Sequence, residues 1–414
     1  MINEKMMEKK VIRDNIHGNI SIEYKVIWDL INADAFQRLR RIHQLGGTYM
    51  VFPSAEHSRF THSLGVYNIV KRIINEVEGI KEHLENERNI IVLLCAGLLH
   101  DIGHGPYSHA FEDVFNSNHE EKTIEIITKD TTINKILSSY DPTIAKEIAS
   151  IISKTHPNKI MIQVISSQVD ADRMDYLLRD AYNCGVSYGN FDLERLLRSM
   201  VVYDNKLVFK ESGIHAIEDY IFARYHMYWQ VYLHPTANSF EIILTKILRR
   251  VKDLFENNYN FKQDINLLIP FLKGEKVLVN DYLQLDESII IYYFSQFRYE
   301  DDEILSDLCH CFLERKLFKH RDIKDYKQGQ DMINNLETDK TKQEYYFDMQ
   351  TAKSAIYKYY GDLNSQSIMI LTKEKDIKEL YDASDLVNAI VDSAQQKQEK
   401  KIYFHQKYLS KLNE

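Results

Sequence analysis

Residues that interrupt helices are scarce in this chain. Its 414 residues include only 6 prolines and 14 glycines, the two residue types that most strongly end helices and strands. Apolar residues recur at helical spacing over several long segments, namely 25–45, 61–77, 89–103, 143–154, 166–185 and 213–234. Alternating segments with turn residues between them predict two short hairpins, at 10–22 and 200–209. The sequence therefore predicts a mainly α fold, a helical bundle with short β-hairpins.

The pattern changes near residue 330. Residues 366–373 and 400–409 are typical of strands, and the segment between them is typical of a helix. We therefore expect residues 1–330 to form the main domain with a helical extension. Residues 331–414 are expected to form a small α+β region.

Composition and charge exclude some classes of function. The net charge of −9 argues against broad, non-specific binding of nucleic acid, which requires a basic face. No apolar run approaches the roughly 20 residues of a membrane-spanning helix, and the first 15 residues contain no apolar signal core. The sequence thus predicts a cytoplasmic protein without a membrane partner.

The segment LLCAGLLHDIGHGPYSH (93–109) ends an apolar helix on His100-Asp101. Burying these groups costs free energy unless something binds them. At a helix end beside Gly103, imidazole and carboxylate can converge on one metal ion, an arrangement that suits hydrolysis. Other polar residues on apolar helices are further candidates, and the residues alone do not choose among the aspartates: His62, Asp170, Asp172 and Asp175.

Three segments together resemble the HD-domain phosphohydrolases: RFTHSLGV (59–66), HDIGHGPYSH (100–109) and DADRMDYLLRD (170–180). Residues 37–66 are similar to the deoxynucleoside triphosphate (dNTP) triphosphohydrolase branch. That branch includes the human sterile-alpha-motif and HD-domain enzyme and shorter bacterial relatives. The resemblance implies hydrolysis of a dNTP to a deoxynucleoside and inorganic tripolyphosphate.

The resemblance also implies one divalent metal ion in each active site, either Fe, Mn, Mg or Zn. It assigns the metal ligands to His62, His100, Asp101 and Asp172, and so selects Asp172 over Asp170. Mixed nitrogen and oxygen ligands do not decide among these metals. A further Mg²⁺ that arrives with the nucleotide is compatible with the same pattern.

The family pattern assigns further roles around this metal. His109 matches the proposed acid, His104 lies beside it, and Glu112 and His119 match a supporting relay, with Glu112 where an aspartate is more usual. The residues that match phosphate contacts are Arg59, Arg173 and Arg224. The residues that match sugar and other substrate contacts are Gln44, Leu45, Tyr176, Asp180 and Tyr232, and Tyr228 would complete the pocket.

Regulation is a further implication of the resemblance. Family members are commonly activated by a nucleotide bound between subunits, and they assemble as dimers and tetramers. Gln37 and Arg40 match the activator-site pattern, whereas Asn32 stands where guanine-selective members have an aspartate. An asparagine offers a guanine edge only one acceptor group. We therefore expect a homodimer or homotetramer in which strict GTP activation is not required.

Two alternatives share the metal motif. One is an HD-type phosphodiesterase or nucleotidase that acts on another nucleotide, and the other is a non-catalytic nucleotide sensor. The arginines that match triphosphate contacts disfavour the first, because a monophosphate needs fewer cations. The complete set of metal and acid residues disfavours the second.

Overall fold

The computed structural model describes residues 2–353, 367–396 and 398–412. Helices predominate, as predicted, and strands in the described part form three small sheets. The strands are β1 (Lys5–Asp14), β2 (Gly18–Tyr24), β3 (Met200–Tyr203), β4 (Lys206–Lys210), β5 (Lys319–Asp322), β6 (Phe347–Lys353), β7 (Met369–Leu371), β8 (Ile377–Glu379) and β9 (Gln398–Phe404). Both predicted hairpins are confirmed, as β1–β2 and β3–β4. The second turns at Asp204 and Asn205, which both have positive φ.

Twenty-three α-helices lie within the described residues. Those of the first half are α1 (Lys25–Ile31), α2 (Asp34–Arg38), α3 (Arg59–Glu76), α4 (Ile80–Leu84), α5 (Glu87–Leu99), α6 (Ser108–Phe115), α7 (His119–Thr128), α8 (Thr132–Tyr140), α9 (Ile144–Ile152), α10 (Lys159–Ile165), α11 (Ala171–Cys184) and α12 (Leu193–Ser199). Those of the second half are α13 (Ile214–Met227), α14 (Pro235–Glu256), α15 (Ile269–Leu272), α16 (Val279–Tyr282), α17 (Glu287–Phe297), α18 (Glu303–Leu313), α19 (Tyr326–Leu336), α20 (Lys340–Tyr346), α21 (Leu380–Ala383), α22 (Asp385–Gln396) and α23 (Leu409–Leu412).

The single helix predicted over residues 25–45 is wrong, because the chain turns between α1 and α2. The Asn32 side chain donates to the carbonyl of Trp28 at 2.7 Å, a local bond of the kind that favours helix ends. After a short 3₁₀ turn, residues 42–44 run antiparallel to residues 57–59. This pairing fixes the segment that carries Gln44 and Leu45.

The helix predicted over residues 213–234 is confirmed in its first part, as α13. Its last turn widens into a π-helical turn over Tyr228–Tyr232, and Pro235 then begins α14. Isolated π-helical turns occur frequently at functional sites. Here the turn carries two residues that the resemblance assigns to the substrate, Tyr228 and Tyr232.

Two large apolar clusters form the core of the described residues. The first joins α3, α5, α9, α10, α11 and α13, and the second joins α14, α17 and α18. Tyr107 and Phe111, from the loop and helix after the His-Asp pair, belong to the second cluster. The two clusters therefore meet around the segment 100–112.

Strands after residue 330 extend sheets that begin before it. β7 pairs in parallel with β4 and antiparallel with β8, and β9 lies between β5 and β6. The domain boundary near residue 330 stays a prediction, and the strand pairing crosses it. Among the described helices, none is both long and apolar enough to cross a membrane.

Candidate metal centre and active site

Three helices bring the predicted metal ligands together. His62 lies on α3, His100-Asp101 follow α5, and Asp172 lies in the first turn of α11. The Asp172 Oδ1 atom is 3.1 Å from His62 Nε2 and 3.6 Å from His100 Nε2. Asp101 places Oδ1 3.4 Å from His100 Nε2 and Oδ2 3.7 Å from His62 Nε2. His62, His100 and Asp172 therefore place ligand atoms around one point, and Asp101 lies beside them.

Both histidines use their Nδ1 atoms for hydrogen bonds on the side away from the cluster, so that their Nε2 atoms face it. His100 Nδ1 lies 2.9 Å from the carbonyl of Gly97 and so carries a proton, while its buried Nε2 has no hydrogen-bond partner among the described residues. His62 Nδ1 lies 2.8 Å from Asp175 Oδ2. A carboxylate or carbonyl behind the ring is the usual partner of a metal-bound histidine. His62 Nε2 itself lies within hydrogen-bond distance of Asp172 Oδ1, and with the ring protons on Nδ1 the two Nε2 atoms and the adjacent carboxylates would form a donor set that fits a divalent cation.

Charges within this cluster shift the pKa values of its members strongly. Burial lowers the pKa of His62, but hydrogen bonds to Asp172 and Asp175 outweigh it and raise the pKa to about 10. Burial raises the pKa of Asp172, and the adjacent His100 and His62 side chains outweigh it and hold the pKa well below its usual range. The carboxylates attract positive charge, which a metal ion can supply.

The structure separates the three aspartates of α11. Asp170 is the N-cap of the helix: it accepts from the backbone N–H of Arg173 at 2.8 Å and of Ser167 at 2.7 Å. Its carboxylate also pairs with the Arg173 guanidinium. The Asp175 carboxylate is held by His17, Arg179 and the Nδ1 atom of His62. Asp172 is therefore the aspartate of this helix that faces the two Nε2 atoms.

Asp175 connects the site to the N-terminal hairpin. Its Oδ1 atom lies 2.6 Å from His17 Nε2, and the Arg179 guanidinium donates to both oxygens at 2.8 and 2.9 Å. Arg179 also donates to Asp14 at 2.8 Å. A Cβ on Gly65 would lie 1.8 Å from Asp175 Oδ1, so this close approach requires glycine. Sequence reasoning did not assign His17 or Asp14, and their only signal is the polar turn of the first hairpin.

The predicted relay residues also come together. His104 Nε2 lies 3.3 Å from Asp101 Oδ1 and His104 Nδ1 lies 2.9 Å from Ser108 Oγ. The His104 and His119 rings stack 4.0 Å apart, and His119 Nδ1 lies 2.9 Å from Glu112 Oε1. His109 lies on α6, but its side chain is outside the described part of the structure.

Electrostatics distinguish the two stacked histidines. Burial, with the nearby Arg59 charge, holds the pKa of His104 well below its usual range. Burial also lowers the pKa of His119, but the hydrogen bond to Glu112 outweighs it and the pKa is raised. His104 is therefore neutral, and His119 retains a proton more readily.

A cavity of about 670 Å³ opens beside this cluster. Seven of the predicted substrate residues line it: Gln44, Leu45, Arg59, Tyr176, Asp180, Tyr228 and Tyr232. Arg59 donates to Asp101 Oδ2 at 2.6 Å and so connects the cavity to the metal ligands. The other two predicted arginines, Arg173 and Arg224, lie near Tyr176, where their charges oppose the burial that raises its pKa.

Asp180 is held by two neighbours. Its Oδ1 atom lies 2.7 Å from His57 Nε2, and its Oδ2 atom accepts from the Tyr232 hydroxyl at 2.8 Å. The His57 side chain is only 5% exposed. Sequence reasoning missed His57, although it stands two residues before Arg59 in the segment that carries the family resemblance.

The predicted activator residues lie around α2. Gln37 donates to the carbonyl of Ile31 at 2.7 Å, and Arg40 donates to Gln37 Oε1 at 2.8 Å. Asn32 is the exposed C-cap of α1. Between Gln37 and Arg40, the buried Arg38 donates to the carbonyls of His104 at 2.9 Å and Leu285 at 2.7 Å. A single subunit does not test activation or assembly, so both stay predictions.

Comparisons with known proteins agree with this geometry. Residues 59–180 match the HD domain model, and residues 191–265 match the HD associated region. The uncharacterized protein YwfO of Bacillus subtilis is 45% identical over 412 residues, which cover 97% of this chain and 93% of that protein. A deoxynucleoside triphosphate triphosphohydrolase SAMHD1 homolog of Dictyostelium discoideum is 34% identical over 249 residues, which cover 57% of this chain and 48% of that protein. The chain belongs to the same family as YwfO and contains an HD domain.

The fold of this HD-domain protein also matches a solved relative. A phosphohydrolase from Bacteroides thetaiotaomicron has 29% sequence identity and a TM-score of 0.84, over 96% of this chain and 100% of that chain. The HD phosphohydrolase fold indicates that the protein is a hydrolase. HD domains bind divalent metals. The histidine and aspartate groups described above are the residues that could hold the ion.

Proposed function

We propose that this protein is a metal-dependent dNTP triphosphohydrolase that releases a deoxynucleoside and inorganic tripolyphosphate. One observation carries the proposal: a single cavity joins Arg59, bonded to the metal-site residue Asp101, to the sugar-matching residues Gln44, Leu45 and Asp180. A nucleotide whose α-phosphate lies at the metal centre could therefore extend its sugar towards Asp180. The named SAMHD1 relative supports the same activity.

The residues around the metal centre account for the chemistry. A divalent ion held by His62, His100, Asp101 and Asp172 supplies Lewis-acid activation of phosphate and water. Arg59 neutralises phosphate charge beside these ligands. The His119–Glu112 pair keeps a proton next to the neutral His104. The predicted acid His109 would deliver a proton to the departing 5′-oxygen.

The activity is tested by product analysis. The metal-loaded protein is incubated with each dNTP and each ribonucleotide, with and without GTP or dGTP, and products are resolved by chromatography and phosphorus NMR. Deoxynucleoside plus tripolyphosphate supports the proposal. Release of orthophosphate, or of monophosphate plus pyrophosphate, would show a hydrolase that does not release tripolyphosphate, and would contradict the proposed reaction. Dependence on GTP or dGTP would indicate an activator site, and light scattering of the same samples would measure the proposed dimer or tetramer.

The proposal predicts that His57 acts through the 3′-hydroxyl of the sugar. In the His57→Ala protein, Asp180 loses its 2.7 Å partner and becomes a poorly oriented acceptor. We expect KM for a dNTP to rise roughly tenfold, the effect of one charge-assisted hydrogen bond. A 2′,3′-dideoxynucleotide lacks the hydroxyl and should show little difference between the two proteins. The exposed Ser54→Ala is the control, and an equal loss on both nucleotides would contradict the assignment.

The proposal also predicts that Leu45 excludes ribonucleotides. Leu45 and Tyr232 both line the cavity and would leave little room for a 2′-hydroxyl. Leu45→Gly should reduce the ratio of kcat/KM for dATP over ATP by roughly tenfold, the scale of discrimination that one small group gives. Leu278→Gly, at an exposed leucine, is the control. An unchanged ratio would show that another residue selects the sugar.

A further inference from the structure

Part of the cavity lining comes from α14 and β6, two elements that carry none of the predicted catalytic or substrate residues. Asn238, Glu241 and Thr245 occur on α14 at helical spacing, and all three line the cavity. Asp348 and Gln350, at alternate positions of β6, line the same cavity. A nucleotide with its phosphates at Arg59 and its sugar at Asp180 leaves these residues as candidates for contact with its base.

Glu241 lies beside the segment that faces the sugar. Its Oε1 atom accepts the backbone N–H of Gly47 at 3.1 Å. Gly47 follows Leu45 by two residues, and a Cβ on Gly46 would lie 2.7 Å from the same Glu241 oxygen. The carboxyl group is therefore fixed next to the position that the sugar would occupy.

Nearby cations are engaged elsewhere. Lys246 donates to the carbonyl of Glu344 at 2.7 Å and pairs with Asp348 at 3.3 Å, and Arg249 pairs with Asp113. Among the described residues, no cationic side chain forms an ion pair with Glu241. A carboxyl group in a cavity costs free energy unless a donor binds it.

The pKa of Glu241 reflects this environment. Burial raises the pKa, the Gly47 hydrogen bond lowers it, and the nearby Glu287 carboxylate raises it further, to about 7. The ionised form of Glu241 therefore lacks a neutralising partner among the described residues, and a hydrogen-bond donor on a ligand would stabilise it.

We propose that α14 and β6 form a nucleobase subsite in which Glu241 accepts a hydrogen bond from an exocyclic amino group of the base. This inference rests on the proposed function, because a dNTP must lie in the cavity with its base against α14 and β6. Adenine and cytosine carry such an amino group at corresponding positions, N6 and N4, and guanine carries one at C2. Thymine has no amino group and presents the carbonyl oxygen O4 where cytosine has its amino group, and the ionised carboxylate repels that oxygen. Substrates with an amino group are therefore favoured over dTTP.

Substrate analogues test this subsite without altering the protein. The wild-type kcat/KM is measured for the four dNTPs and for two analogues that lack the amino group. Deoxyinosine triphosphate is compared with dGTP, and purine deoxyribonucleoside triphosphate is compared with dATP. Loss of the amino group should lower kcat/KM roughly three- to tenfold, the effect of one hydrogen bond. dTTP should be the poorest of the four natural substrates.

A matched pair of variants then locates the effect. In Glu241→Leu, dGTP and deoxyinosine triphosphate should become equivalent, whereas Glu256→Leu, at the exposed end of the same helix, should keep the wild-type preference. Wild-type turnover with equal values for each analogue pair overturns the subsite and leaves the triphosphohydrolase proposal intact. A preference for dGTP over deoxyinosine triphosphate that persists in Glu241→Leu also overturns the proposed subsite. Wild-type failure to turn over any dNTP overturns both proposals.

Discussion

The His100→Ala protein is expected to purify without bound metal and to hydrolyse dNTPs at least a thousandfold more slowly than wild type, an order of magnitude typical for loss of a central electrostatic catalyst. His100 offers its unpaired Nε2 atom towards Asp172, 3.6 Å away. Its removal leaves the carboxylates of the cluster without a nitrogen ligand on that side. Metal content by plasma mass spectrometry and turnover by product chromatography measure the two effects together.

A second histidine provides the control for this variant. His215 is 87% exposed, and within the described part of the chain its side chain bonds to Glu218 in the next turn of its helix. His215→Ala should therefore keep the wild-type metal content and turnover. Normal metal content and activity in His100→Ala would overturn the assignment of the metal centre.

The Asp175→Asn protein is expected to lose both stability and metal affinity. Asp175 is fully buried, and its two oxygens are shared by Arg179, His17 and His62. Asparagine keeps the shape but removes the charge, so that Arg179 is left without part of its compensation. Breaking a buried ionic network of this kind costs about 3–5 kcal/mol. Loss of the partner behind a metal-binding histidine weakens metal binding by roughly 10–100-fold.

Two measurements separate these effects. Urea unfolding of the metal-free proteins gives the free energy of unfolding, and a titration with Mn²⁺ gives the metal affinity. Asp331→Asn, at an exposed position of α19, should change neither. A metal-free stability within about 0.5 kcal/mol of wild type, the range of an ordinary surface substitution, would show that the network does not support the fold.

Local sequence patterns predicted much of the helical framework. Apolar spacing located α3, α5, α9 and α11 because these helices bury a continuous stripe against their neighbours. It did not separate Asp170, Asp172 and Asp175, since an aspartate near a helix start can cap the helix, bind a metal or form a buried ion pair. In the structure Asp170 caps the helix, Asp175 forms a buried ion pair and Asp172 faces the two histidines. Only the family resemblance selected Asp172 beforehand.

Long-range contacts explain what the sequence did not reveal. His17 and Asp175 are 158 residues apart, and His57 and Asp180 are 123 residues apart. Neither pair forms a local pattern. The chain also turns between α1 and α2, and residues 42–44 then pair with residues 57–59. Helical periodicity does not predict this pairing. The parallel pairing of β7 with β4 also joins segments far apart in the chain.

The buried Arg38 connects α2 to two other parts of the backbone. One guanidinium group joins α2 to the carbonyl of His104 and to that of Leu285, just before α17. Three separate stretches of backbone are thus coupled through a single rigid, planar group. Arg38 is buried whereas the nearby Arg40 is exposed. A displacement imposed on the outer face of this region would therefore reach the loop that carries His104 through a single side chain.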